Sequence, residues 1–218
     1  MTGPSRSAAG TDGGTLRYVA LGDSYTIGTA TDSETERWPD RLVARLGPRP
    51  PTIELVANLA VNGFTSRDVI ERELPQLARL EPKFMSLLIG VNDVVQGVPE
   101  ATYAGNVEAI LDALRERVPA DRILAVTTPD YTVTRRGADY GDPTARAAGI
   151  RRVNEILGAL AAVRGIAIVD IHDVSLRAAG DASLVADDGL HPSGAQYALW
   201  VERIAPVAEA LLGRYRSV

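Results

Sequence analysis

The 218-residue sequence contains no cysteine. Disulfides, thiolate metal sites and a cysteine nucleophile are therefore excluded. It holds two histidines, His172 and His191, so any imidazole base must be one of them. No segment approaches the roughly 20 consecutive apolar residues of a membrane helix. There is no basic block: the arginines are scattered among acids and the formal net charge is −5, which argues against nucleic acid as a partner. G-x-G-x-x-G and the P-loop lysine are missing too. The first 15 residues, MTGPSRSAAGTDGGT, lack the stretch of roughly 7–15 apolar residues that a signal peptide needs. They read as a disordered leader ahead of one domain over residues 16–218. A cytoplasmic location is the default expectation, and secretion after removal of a signal stays open.

What is present is an alternation. Five short apolar runs, Leu16–Leu21, Ile53–Ala57, Phe84–Ile89, Ile123–Thr127 and Ile166–Val169, are continuous rather than alternating. That pattern suits strands buried on both faces. Helical periodicity fills the intervals. Pro39 can open a helix that buries Leu42, Val43 and Leu46 and ends before Gly47. Thr65 or Ser66 can cap a second over Val69, Ile70, Leu74 and Leu77, which Pro75 should kink or split. Tyr103, Val107, Ile110, Leu111, Leu114 and Val118 form a third stripe. Ile150, Val153, Leu157 and Leu160 form a fourth, ended by Gly165, and a last helix runs from about Ser193 to Leu211 with a bend at Pro206. Strand and helix in regular alternation predict an α/β fold: a five-stranded parallel sheet in a three-layer αβα sandwich. Ligands in such sheets bind beyond the carboxyl ends of the strands, so the loops there carry the candidate site.

Four of those loops carry polar signals. The first is Gly22-Asp23-Ser24, which reads either as a helix-capping turn or as a nucleophile at a strand exit. The second is NLAVNGFTS, residues 58–66, where Gly63 either permits a turn or exposes its N–H to a ligand. The third is IGVNDVV, residues 89–95, whose Asn92-Asp93 can cap a helix or aim an amide into a cleft. The fourth is DDGLHPSG, residues 187–194. There Asp188 precedes His191 by three residues, so its carboxylate can hold the imidazole and fix its tautomer, as the third member of a serine triad does. His172 is the less favoured base, because a partly buried, hydrogen-bonded role accounts for it.

Together, Gly22-Asp23-Ser24, Gly63 within NLAVNG, Gly90-Val91-Asn92-Asp93 and Asp188-Gly189-Leu190-His191 resemble the four blocks of the SGNH hydrolases, the GDSL esterase/lipase family. The likeness extends over nearly the whole chain from Leu16. Tyr25 stands where the family name has leucine, at a position that bears on pocket shape. The resemblance implies a flavodoxin-like SGNH hydrolase fold and a serine esterase working through an acyl-enzyme, with no metal or nucleotide cofactor. It implies Ser24 as nucleophile, His191 as base and Asp188 as its orienting partner. The oxyanion hole it implies comprises the N–H groups of Ser24 and Gly63 and the Asn92 amide. The G-x-S-x-G elbow of the α/β-hydrolases is absent.

The pocket is expected around Tyr25, Val94 and Tyr131, the last within the long segment TPDYTVTRRGADYGDP, residues 128–143. Long loops of this kind are often functional, although a solvated excursion would fit as well. A small-molecule ester with a short acyl chain is the expected substrate. Two alternatives remain at this level: a phosphate or nucleotide binder using the glycine-containing GDSYTIG turn, and a non-catalytic binding domain. Oligomeric state is not legible in the sequence.

Overall fold

Five parallel strands, β1 (Leu16–Gly22), β2 (Ile53–Asn58), β3 (Phe84–Leu88), β4 (Ile123–Val126) and β5 (Ala167–Val169), form one sheet in the order β2-β1-β3-β4-β5. The computed structural model describes residues 14–213. The expected leader lies mostly outside the described residues; Thr15, at its end, hydrogen-bonds through its hydroxyl to Thr52 at 2.9 Å.

Successive strand residues point to opposite faces, and both faces are covered. Tyr18 and Ala20 of β1, Phe84 and Leu88 of β3, and Leu124 and Val126 of β4 face α2 (Trp38–Leu46) and α9 (Gly194–Gly213). Val19, Leu21, Met85, Leu87, Ile123 and Ala125 face the other layer, built from α6 (Glu100–Arg115) and α7 (Pro143–Val163). The three central strands are mostly apolar because both sides are core, Arg17 and the buried Ser86 being the polar exceptions. The edge strands differ: most residues of β2 and β5 are only partly buried.

The short helices lie at strand exits. α1 (Ser24–Ile27) follows β1, α5 (Val91–Gln96) follows β3 and α8 (His172–Leu176) follows β5. The segment after β2 breaks as Pro75 requires. It runs as α3 (Ser66–Asp68), a π-helical turn Val69–Glu73, a 3-10 turn Leu74–Gln76 and α4 (Leu77–Leu80). Proline lacks an N–H and clashes with the carbonyl four residues back, which disfavours a regular helix here. Thr65 caps α3 in a reciprocal box with Asp68. Pro206, by contrast, lies inside an unbroken α9. Among the described residues no helix is long and apolar enough to cross a membrane.

The order 2-1-3-4-5 puts a topological switch between β1 and β3, since the chain leaves β1 to one side and β3 to the other. A crevice opens at the carboxyl ends of such a pair. Ser24 follows one of these strands and Asn92 the other.

Candidate active site

The turn after β1 is set by Gly22. Its φ of +151° is a conformation for glycine, and a Cβ there would collide with the Leu88 carbonyl oxygen. Asp23, not Ser24, caps α1: its Oδ1 accepts the Tyr25 N–H at 3.0 Å. The Ser24 hydroxyl is thereby left without a hydrogen bond among the described residues, while its N–H, at the first helical position, has no intrahelical partner. Asn58 at the tip of β2 pins α1 by donating to the Thr26 carbonyl at 2.8 Å. With four residues, α1 is a single turn.

The last block forms a tight turn. Asp188 Oδ2 stands 2.5 Å from His191 Nδ1. Its Oδ1 accepts the N–H groups of Leu190 at 2.9 Å and His191 at 3.0 Å. Burial would raise the Asp188 carboxyl, but these hydrogen bonds outweigh it and hold the group below the usual carboxylate range. The Ala186 N–H donates to the His191 carbonyl at 2.8 Å and closes the turn. The imidazole leans on the Tyr25 ring, with centroids 5.3 Å apart.

Ser24 and His191, far apart in sequence, line one cavity of about 260 Å³ together with Gly63 and Asn92. Gly63 sits in a turn at φ +84°, and its N–H makes no hydrogen bond among the described residues. Asn92 donates one amide N–H to the Phe64 carbonyl at 2.9 Å; a carboxamide has a second. Asp93 faces inward and accepts from the Ser66 N–H at 2.9 Å and hydroxyl at 2.5 Å, locking α5 to α3. Tyr25, Tyr131, Tyr140, Val91, Val95 and Leu190 supply the apolar wall, and Asn62 adds a polar edge.

Val94 does not line this cavity. It packs towards α7, where a Cβ on Gly149 would stand 2.8 Å from its Cγ1. Val91 and Val95 take the place expected of it: four apart, they share a helix face, and both line the cavity with Asn92. That spacing was present in the sequence; Asn62 and Leu190 carried no signal beyond adjacency to Gly63 and His191. His172 lies elsewhere, its Nε2 3.6 Å from Asp130 Oδ2.

The segment 128–143 is not a solvated excursion. Thr128, Asp130 and Tyr131 are buried, and two 3-10 turns, Tyr131–Val133 and Gly137–Tyr140, bring both tyrosines to the cavity. Its paired arginines hold the Asp188–His191 turn. The Arg136 N–H donates to the Gly189 carbonyl at 3.1 Å, and its guanidinium to the Asp188 carbonyl at 3.4 Å. The Arg135 guanidinium donates to the Asp187 carbonyl. Arg135 also fills the space that a Cβ on Gly189 would need. Among the described residues no group of three His, Asp or Glu side chains could hold a metal ion.

The model of the GDSL-like lipase/acylhydrolase family matches residues 20–199. The chain belongs to this family. Membership makes it a hydrolase of carboxylic esters, and it decides between that activity and the nucleotide-binding alternative, which the GDSYTIG turn alone could not do. No curated protein matches the sequence. Solved structures share the GDSL-type fold at low identity. TesA superposes with a TM-score of 0.68 at 22% identity, over 89% of this chain and 99% of TesA. LAE5, an α/β hydrolase enzyme from the metagenome of Lake Arreo, Spain, gives 0.68 at 22%, over 93% and 97%. A variant of Axe2, an acetyl xylan esterase from Geobacillus stearothermophilus, gives 0.68 at 19%, over 91% and 94%.

Proposed function

We propose that the protein hydrolyses uncharged carboxylic esters with short acyl chains, through an acyl-enzyme on Ser24. The observation that carries this reading is the shared cavity: an unengaged serine hydroxyl faces the same space as an imidazole already fixed by a carboxylate. Ser24 Oγ attacks the ester carbonyl carbon and its proton passes to His191 Nε2. Asp188 holds Nδ1, fixing the tautomer and supporting the imidazolium. The tetrahedral oxyanion is met by the N–H groups of Ser24 and Gly63 and by the second amide N–H of Asn92. Collapse breaks the carbonyl–alkoxy bond, and the leaving alkoxide takes the proton from His191. Water then repeats the sequence on the acyl-enzyme, releasing the acid and restoring Ser24.

The cavity supports the substrate class. At about 260 Å³ it is smaller than the roughly 300–1,000 Å³ typical of sites for drug-sized ligands. Its lining holds no Lys, Arg, Asp or Glu, so no lysine or arginine is there to pair with a phosphate or carboxylate on the substrate. A p-nitrophenyl ester series tests this. The acetate and butyrate should turn over fastest, and Ser24→Ala and His191→Ala should abolish the activity. Equal rates for long-chain and acetyl esters would refute the short-acyl assignment, and full activity in Ser24→Ala would refute the nucleophile.

A further inference from the structure

Glu73 is a buried acid with no part in the steps above. It is fully buried at the end of the π-helical turn Val69–Glu73, and π turns recur at functional positions. Its Oε2 accepts the Gly22 N–H at 3.0 Å, two residues before Ser24. Among the described residues its Oε1 has no hydrogen-bond partner, and neither have Asp23 Oδ2 and Thr26 Oγ1, all three buried. These atoms belong to residues gathered around Gly22. Glu73 binds its N–H, Asp23 follows it, and Thr26 Oγ1 stands 2.6 Å from where its Cβ would be.

The charged groups around this cluster are acidic. Asp23 and Asp68 of α3 interact electrostatically with Glu73, and Asp93 of α5, Tyr103 of α6, Tyr25 of α1 and Tyr197 of α9 with Asp23. The nearby cations, Arg67 and Arg72, are exposed and already paired, with Glu71 at 2.7 Å and Asp68 at 3.5 Å. Two buried carboxylates with no cation lose hydration and repel each other. A single proton relieves both effects. Burial pushes Asp23 up to about 7 and Glu73 up to about 8, the charge of Asp23 adding to the latter.

We propose that Glu73 is a positioning residue for Ser24, sharing one proton with Asp23 so that the acid pair clamps the Gly22–Asp23 turn from beneath. The pair then holds the N–H and hydroxyl of the nucleophile in register with the oxyanion site. Loss of the shared proton at alkaline pH places a second negative charge under the growing oxyanion, and kcat falls there.

The kinetic arm of the test rests on Ser24 as nucleophile; the spectroscopic arm does not. Infrared spectra of the intact protein at neutral pH should show an un-ionised carboxylic acid C=O band. Glu73→Gln should remove it, and it should persist in Ser24→Ala. Glutamine keeps an acceptor for Gly22 and a donor for Asp23, so this variant should retain most of kcat at neutrality and stay active further into alkali. Glu73→Leu, which cannot hold Gly22, should lose about 10²-fold in kcat with little change in KM, the scale of a small misplacement of reacting groups. Absence of a band that Glu73→Gln removes would overturn the proposal, whether or not the leucine variant folds. So would a folded Glu73→Leu with wild-type kcat.

Discussion

At the residue scale, the fourth block couples charge and geometry. Asp188 is ionised throughout the neutral range because its hydrogen bonds hold it down. The stabilisation from that lowered value is present above the unfolded value and is lost as pH falls through the folded one. His191 has to accept the Ser24 proton, so His191→Ala should lower kcat/KM by orders of magnitude while the fold is kept; an unchanged value would remove His191 as the base. Asn92→Ala should lower kcat by about 10²–10³, the usual effect of losing one oxyanion donor, while circular dichroism stays native. Unchanged turnover would take Asn92 out of the oxyanion hole. The raised carboxyls have the opposite sign from Asp188. The folded state binds protons more tightly than the unfolded chain at Asp23 and Glu73, so stability should decline as pH rises from the ordinary values of 3.8 and 4.5 through about 7 and about 8. Thermal melts across that window should show the decline, and Glu73→Gln should flatten it.

At the element scale, the segment after β4 carries Tyr131 and Tyr140 to the cavity and grips the His191 turn through Arg135 and Arg136. Both arginines are exposed, so truncating them leaves the core intact. The double variant Arg135→Ala/Arg136→Ala should fold normally and lose about tenfold or more in kcat, in line with the sensitivity of reacting groups to small misplacements. Wild-type kcat in that variant would show that the His191 turn stands without the clamp. The elements were legible in the sequence to different degrees. The five strands begin and end within a residue or two of their apolar runs; in β1, β3 and β4 burial on both faces leaves the strongest signal. Thr65, Pro75, Gly47 and Gly165 marked real helix boundaries, since capping and proline chemistry act locally. α1, α5 and α8 are single turns or little more, too short to show a period. The orientation of α5, and with it the exchange of Val94 for Val91 and Val95, depends on tertiary packing against α7. Glu73 was invisible for the same reason: it sits on a π turn whose register no regular helical pattern describes.

At the scale of the whole molecule, the sheet order brings the site together. Parallel pairing was foreseeable from the strand–helix alternation, whereas β2-β1-β3-β4-β5, decided by long-range packing, was legible only through the flavodoxin-like fold that the family resemblance implies. That order sets the exit of β1 beside the exit of β3, and the final turn before α9 returns over both. Ser24, Asn92 and His191 thus line one crevice despite the length of chain between them. The family blocks were readable as residues, whereas their convergence is a property of the fold. The central claim is that one particular hydroxyl in this crevice is the reacting group. Mass spectrometry of the protein after treatment with a sulfonyl fluoride tests it most directly. A single adduct on Ser24 is expected, formed far more slowly in His191→Ala and absent from Ser24→Ala, with loss of esterase activity in step with labelling. An adduct on another residue, or full ester hydrolysis by a fully labelled protein, would contradict it.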